Sequence, residues 1–226
     1  MITTVVFDLD DTLSDEIDYC RSGLAAGARF LAKVVPTPCS DDVFACLWRQ
    51  FNRGNRTTTF NAALDELGVP GDEALIAQLV EVYRNHRPDL TLPEDSRRVL
   101  ETLNRSHRLA LLTDGFLPAQ RLKVQALGIE PRFEAIVYTE ELGRAYWKPS
   151  PVGFERLARM LETTPDQMAY VGDNEEKDFV APNRLGMLTI RVVRQRHLHH
   201  GSSNRPDAKA TVQTTRIEEL PSLLVR

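Results

Sequence analysis

The stretch "VVFDLDDTLSD", residues 5–15, constrains the fold more than any other part of the chain. Residues 2–8 read as a β-strand, because "ITTVVF" is β-branched and largely apolar. That strand runs directly into Asp8, Asp10 and Asp11, with Asp15 shortly after. Two unit charges about 4 Å apart repel by about 4 kcal/mol at an effective dielectric near 20. Acids crowded at the mouth of a buried strand therefore need a positive partner. Alternation along the extended chain points Asp8 and Asp10 one way and Asp11 the other. Asp11 is left a local role in its own turn or cap.

The text then changes character. From about residue 16 to 87, four segments carry helical periodicity, separated by Pro36, Pro38, Gly54, Pro70 and Pro88, and no strand-like run falls among them. From Pro93 onward, helices over about 94–105, 117–127, 151–162 and 175–185 alternate with short apolar runs at 108–113, 134–138, 168–172 and 187–193. Such alternation predicts a mostly parallel sheet covered on both faces, an α/β core. The first strand belongs to that core. The economical reading is a core formed by residues 1–14 and 90–226, interrupted by an all-helical insertion over 15–89. The tail "ATVQTTRIEELPSLL" supplies an edge strand and a closing helix, after a polar loop over about 194–210.

Composition narrows the class of protein. With 226 residues, 42% hydrophobic and 27% charged, the chain is expected to be an ordinary soluble globular protein with a sizeable core. A net charge of -4 with the signs well mixed gives no basic stripe for nucleic acid. No apolar stretch approaches the ~20 residues that span a bilayer. The first residues lead straight into a strand and an acid cluster rather than a secretory leader, so the expected compartment is the cytoplasm. Cys20, Cys39 and Cys46 are odd in number and lack metal-site spacing; they read as reduced thiols, buried or half-buried. His197, His199 and His200 read as members of a polar loop rather than metal ligands.

In an open parallel sheet, ligands bind at the carboxyl ends of the strands. Those ends collect Asp8 and Asp10 after the first strand, then Thr113 and Asp114 after the second. Lys148 precedes the helix at 151, and Asp173, with Asp178 close behind, follows the strand at 168–172. Clustered carboxylates favour a hard cation, and Mg²⁺ suits one or two carboxylates plus a substrate phosphate. A hydroxyl and a lysine nearby can hold the remaining phosphoryl oxygens. A carboxylate can then attack phosphorus, which splits one hard step into two.

Four motifs in this order resemble those of the haloacid dehalogenase-like (HAD) superfamily of phosphohydrolases. They are "VVFDLDDTL", "LLTDG", "WKPSP" with Lys148, and "YVGDNEEKD". The resemblance implies a Rossmann-like sheet and a helical C1 cap over residues 15–89. It also implies that Asp8 is the nucleophile and a Mg²⁺ ligand. Asp10 would be the acid that protonates the leaving alkoxide and the base that activates water, with its carbonyl on the metal. Thr113 and Lys148 would bind phosphoryl oxygens, and Asp173 would be the third protein ligand of Mg²⁺. Asp178 would support the metal directly, through water, or by holding Lys148. Asp114 is a further candidate at the phosphate, against a local hydrogen bond to its own turn.

The expected activity is hydrolysis of a small soluble phosphate ester through an aspartyl-phosphate: a sugar phosphate, a nucleoside monophosphate or a phosphorylated acid. A halide leaving group needs no proton, so the presence of Asp10 favours phosphate esters over dehalogenation. A phosphomutase and a non-catalytic regulatory protein remain alternatives. In the cap, Arg49, Arg53 and Arg56 follow i, i+4, i+7 and share a face if their helix continues that far; one of them facing the core would grip an anionic group of the substrate. Trp147, beside Lys148, is a packing residue or a wall of the site mouth. Oligomeric state is not legible.

Overall fold

A computed structural model describes residues 1–36, 39–198 and 201–225. Its centre is a six-stranded sheet formed by β1 (Thr4–Phe7), β2 (Arg108–Thr113), β3 (Ala135–Tyr138), β4 (Met168–Gly172), β5 (Leu188–Val192) and β6 (Val212–Thr214). The spatial order is β3-β2-β1-β4-β5-β6, and every adjacent pair is parallel. This is the doubly wound, Rossmann-like α/β order. Its switch point lies beside the first strand, where the crossovers change direction. β1 is central, and its four residues are fully buried, so an uninterrupted apolar run is what the position requires. Phe7 sits in register with Leu111 on one side and Val171 on the other. Asp8, Thr113 and Asp173 are therefore neighbours at one edge.

The helices α5 (Glu94–Leu103), α6 (Ala119–Leu127) and α9 (Leu220–Leu223) cover one face, and α7 (Val152–Met160) and α8 (Val180–Leu185) cover the other. Alternation along β1 serves both layers. Val5 and Phe7 pack with Val99, Leu100, Val124 and Leu220, while Val6 packs with Phe154, Leu157 and Phe179. α8 starts at Val180, five residues later than the sequence periodicity predicts. The reason is local: the Asp178 carboxylate accepts the N–H groups of Asp173 and Asn174, which holds a turn where a helix would otherwise begin.

Between β1 and α5 stand α1 (Glu16–Val34), α2 (Ser40–Asn52), α3 (Thr59–Leu67) and α4 (Glu73–Asn85). They bury a core of their own, with Leu24, Leu31, Leu47, Leu64 and Leu79 at 2% exposure or less. Leu198, from the loop after β5, joins that cluster. Asp11 and Asp15 tie the start of α1 to the same loop. Asp11, at φ 55°, accepts the N–H of Glu16 at 2.9 Å and of Leu198 at 2.7 Å, and Asp15 pairs with Arg194 and Arg196. Asp11 thus caps locally, as expected, and also bridges 187 residues of sequence. All three cysteines are free; Cys20 and Cys46 are buried, but Cys39 is exposed, its thiol donating to Asp42 at 3.2 Å. His197 bonds the Arg194 carbonyl, and His199 and His200 lie outside the described residues.

Candidate active site

The Asp8 N–H still pairs with the Val171 carbonyl at 2.8 Å, so Asp8 leaves the sheet at its centre and is only 2% exposed. The loop before α7 brings Lys148 over it. The Lys148 ammonium donates to Asp8 Oδ1 at 2.8 Å, to Asp178 Oδ1 at 2.7 Å and to the Tyr170 hydroxyl at 3.0 Å. Asp178 also accepts the Tyr170 hydroxyl and two backbone N–H groups, so its lone pairs are saturated. It acts here by holding Lys148 and shaping the turn. Gly172 makes room for it: a Cβ there would lie 2.7 Å from Asp178 Oδ2.

Asp8, Asp173 and Asp178 present oxygens within 4.8 Å of one another. Burial pushes Asp8 up to about 6, against the pull of Lys148. Burial and then the charges of Asp178 and Asp8 push Asp173 up to about 9. Burial also opposes charge on Asp178, yet Lys148 and Lys177 hold it below the usual carboxylate range. Lys148 is held well above its usual value by Asp178 and Asp8, which outweigh its burial. Three carboxylates thus face two ammoniums. Asp8 Oδ2 is buried without a hydrogen-bond partner. An all-oxygen donor set with an orphaned carboxylate oxygen fits a hard divalent cation.

Asp10 stands at the rim. Lys123 donates to both of its oxygens at 2.8 Å, and Gln120 donates to Oδ2 at 2.9 Å. Gln120 also donates to Thr113 Oγ1 at 2.6 Å. Gly115, at φ 139°, permits this approach, since a Cβ would lie 2.8 Å from Gln120 Cδ. Asp114 does not serve its own turn. Its Oδ1 accepts the Thr139 hydroxyl at 2.7 Å and the Lys148 N–H at 3.2 Å, which fastens the lysine loop to the end of β2. Trp147 is half-buried, and its indole N–H donates to Glu140 at 3.0 Å.

Two cavities meet at this rim. One, of about 300 Å³, is lined by Asp10, Trp147, Lys148, Asp173 and Lys177. The other, of about 310 Å³, lies between the helical unit and the sheet edge, against Tyr19, Phe51, Arg56, Phe60, Arg84 and Lys123. Asp10, Glu16, Asp114, Gly115 and Phe116 line both.

The arginines separate. α2 stops at Asn52, so Arg49, Arg53 and Arg56 do not share a helix face. Arg49 and Arg53 are exposed and pair with Glu66, and neither lines either of these two cavities. Arg56 donates to the Leu198 carbonyl at 2.9 Å and lines the larger cavity. Sequence reasoning missed Gln120, Lys123, Tyr170, Lys177 and Arg84. For Gln120 and Lys123 a signal existed: both lie on the face of α6 that carries the buried Val124 and Leu127. Polar side chains there call for a buried partner.

A family model for haloacid dehalogenase-like hydrolases matches residues 2–186, and the chain belongs to that family. It is 29% identical over 211 residues to a glyceraldehyde 3-phosphate phosphatase of Methanopyrus kandleri, covering 87% of this chain and 86% of that one. It is 31% identical over 223 residues to a phosphoserine phosphatase of Thermus thermophilus, covering 84% and 88%. Among solved structures, a 2-haloacid dehalogenase from Pseudomonas syringae pv. Tomato DC3000 superposes with a TM-score of 0.68 at 25% identity, covering 100% and 99%.

Proposed function

We propose that this chain, a phosphatase of the haloacid dehalogenase-like family, hydrolyses small phosphomonoesters through Asp8. The observation that carries the reading is Asp8 itself: Lys148 holds one oxygen, and the other is buried and unpartnered, next to Lys148 and Asp173, which line the smaller cavity together with Asp10. Lys148 and Thr113 hold phosphoryl oxygens, and Lys148 offsets their charge beside the nucleophile. Asp8 attacks phosphorus; the P–O bond to the leaving group breaks as the Asp8–phosphorus bond forms. Asp10, where the two cavities meet, gives its proton to the departing alkoxide and then takes one from the water that cleaves the aspartyl-phosphate. Asp8, Asp173 and the Asp10 carbonyl would hold Mg²⁺, which supplies charge neutralisation at the phosphoryl oxygens.

The larger cavity receives the leaving group, and residues 15–89 act as the cap that closes over it and excludes water. Asp10 also separates this reading from dehalogenation, because a departing halide takes no proton. The test is release of inorganic phosphate from a panel of phosphomonoesters, with and without Mg²⁺, for wild type and Asp8→Asn. Release that needs both Mg²⁺ and Asp8 is expected. No such release from any ester would end the reading, and transfer without net release would replace it with a mutase.

A further inference from the structure

Lys123 has no place in the four motifs, yet it is among the most completely buried cations of the molecule. It is 3% exposed and sits on α6, on the helix face turned toward the sheet. Burying an ammonium is costly unless it is paired and hydrogen-bonded. The only carboxylate it pairs with among the described residues is Asp10, through both oxygens at 2.8 Å. Its ammonium also lies 4.1 Å from the centre of the Tyr19 ring on α1. Gln120, one turn earlier on α6, adds a third hydrogen bond to Asp10 at 2.9 Å.

Three donated bonds against roughly four lone-pair sites leave the Asp10 carboxylate with one open direction. Its plane is fixed, and it stands at the junction of the two cavities, where an ester oxygen between phosphoryl group and leaving group has to lie. We propose that Lys123, assisted by Gln120, is a positioning residue that aims Asp10 at the leaving-group oxygen. The inference rests on the reading of Asp10 as acid and base. The Tyr19 ring and the charge of Glu16, both on α1, also act on the ammonium, so the arrangement is complete only with α1 seated on the core.

Leaving-group dependence tests it. Proton donation matters for a simple alkyl phosphate, whose alkoxide is a poor leaving group, and hardly matters for acetyl phosphate or p-nitrophenyl phosphate. We expect Lys123→Met to lower kcat/KM for an alkyl phosphate toward the ~10²-fold that a positioned acid supplies at least. For the activated esters the fall is expected to be severalfold at most, with Lys123→Arg recovering part of the alkyl activity. Gln120→Leu, which leaves the ion pair intact, is expected to give a smaller loss with the same ranking, and it serves if Lys123→Met does not fold. Asp10→Asn is run beside them. If Asp10→Asn is selective for alkyl esters and neither the Lys123 nor the Gln120 variant is, the positioning role is overturned. If Asp10→Asn shows no selectivity, the acid reading falls and takes the proposal with it.

Discussion

Asp8, Asp10 and Asp11 stand within four residues of each other and meet three different environments. Asp8 faces Lys148, Asp10 faces Lys123, and Asp11 accepts two backbone N–H groups. The repulsion implied by the sequence is resolved by separate partners. At this scale Gly172 is the most exposed to test. Alanine there would push on the buried Asp178 carboxylate at 2.7 Å, and Asp178 fixes Lys148. Gly172→Ala should cost ~1–3 kcal/mol of stability, as overpacking does, and lower kcat/KM at least tenfold. Thermal melts and steady-state kinetics check both. Arg49, Arg53 and Arg56 give a second prediction. Arg49→Ala and Arg53→Ala should leave KM unchanged, since both side chains pair with Glu66 outside the cavities, whereas Arg56→Ala should raise it.

At the scale of elements, the join between α1 and α4 is built around His86. Its Nδ1–H donates to the Tyr83 carbonyl at 2.6 Å, and Nε2 shares a hydrogen bond with the Ser22 hydroxyl at 3.1 Å. Burial holds His86 below the usual histidine value. The unfolded chain then binds the proton more readily than the folded one. Stability is complete above ~6.5, the unfolded value, and is lost as pH falls through the lower folded value. Melting curves from pH 7.5 to 5 should show wild type losing stability relative to His86→Gln, a difference in which the buried carboxylates common to both chains cancel. Packing at this join is equally close: a Cβ on Gly23 of α1 would meet the Tyr83 ring at 2.5 Å.

Across the whole molecule, the helical unit and the sheet each have a core, and polar ties help to join them. Arg56 reaches the Leu198 carbonyl, and Asp15 pairs with Arg194 and Arg196. No helix among the described residues is long and apolar enough to cross a membrane. The proposed cation site, at Asp8 and Asp173, lies at the centre of the sheet edge, so its occupancy would stabilise the core directly. Adding Mg²⁺ at a hundred times its dissociation constant should stabilise the fold by about 2.7 kcal/mol. The accompanying rise in Tm should be largely absent in Asp173→Asn, and chelation with EDTA should reverse it in wild type.

By itself, the sequence determined what depends on neighbours in the chain. Unbroken apolar runs mark strands buried on both faces, the helical stretch after Asp15 marks the insertion, and acids, Thr113 and Lys148 at strand ends mark one edge. A parallel sheet brings its strand ends together whatever their order, so these residues converge without any knowledge of packing. Only the tertiary structure decided which charge meets which. Lys123 reaches Asp10 across 113 residues, and Asp114 turns to the Lys148 loop instead of its own turn. α2 ends before Arg56, which parts that residue from Arg49 and Arg53. Such pairings follow from how α6 and the helices α1 to α4 settle on the sheet, and that settling is driven by non-directional burial of apolar surface. Periodicity says which face of a helix is buried; it does not say which carboxylate waits beneath it.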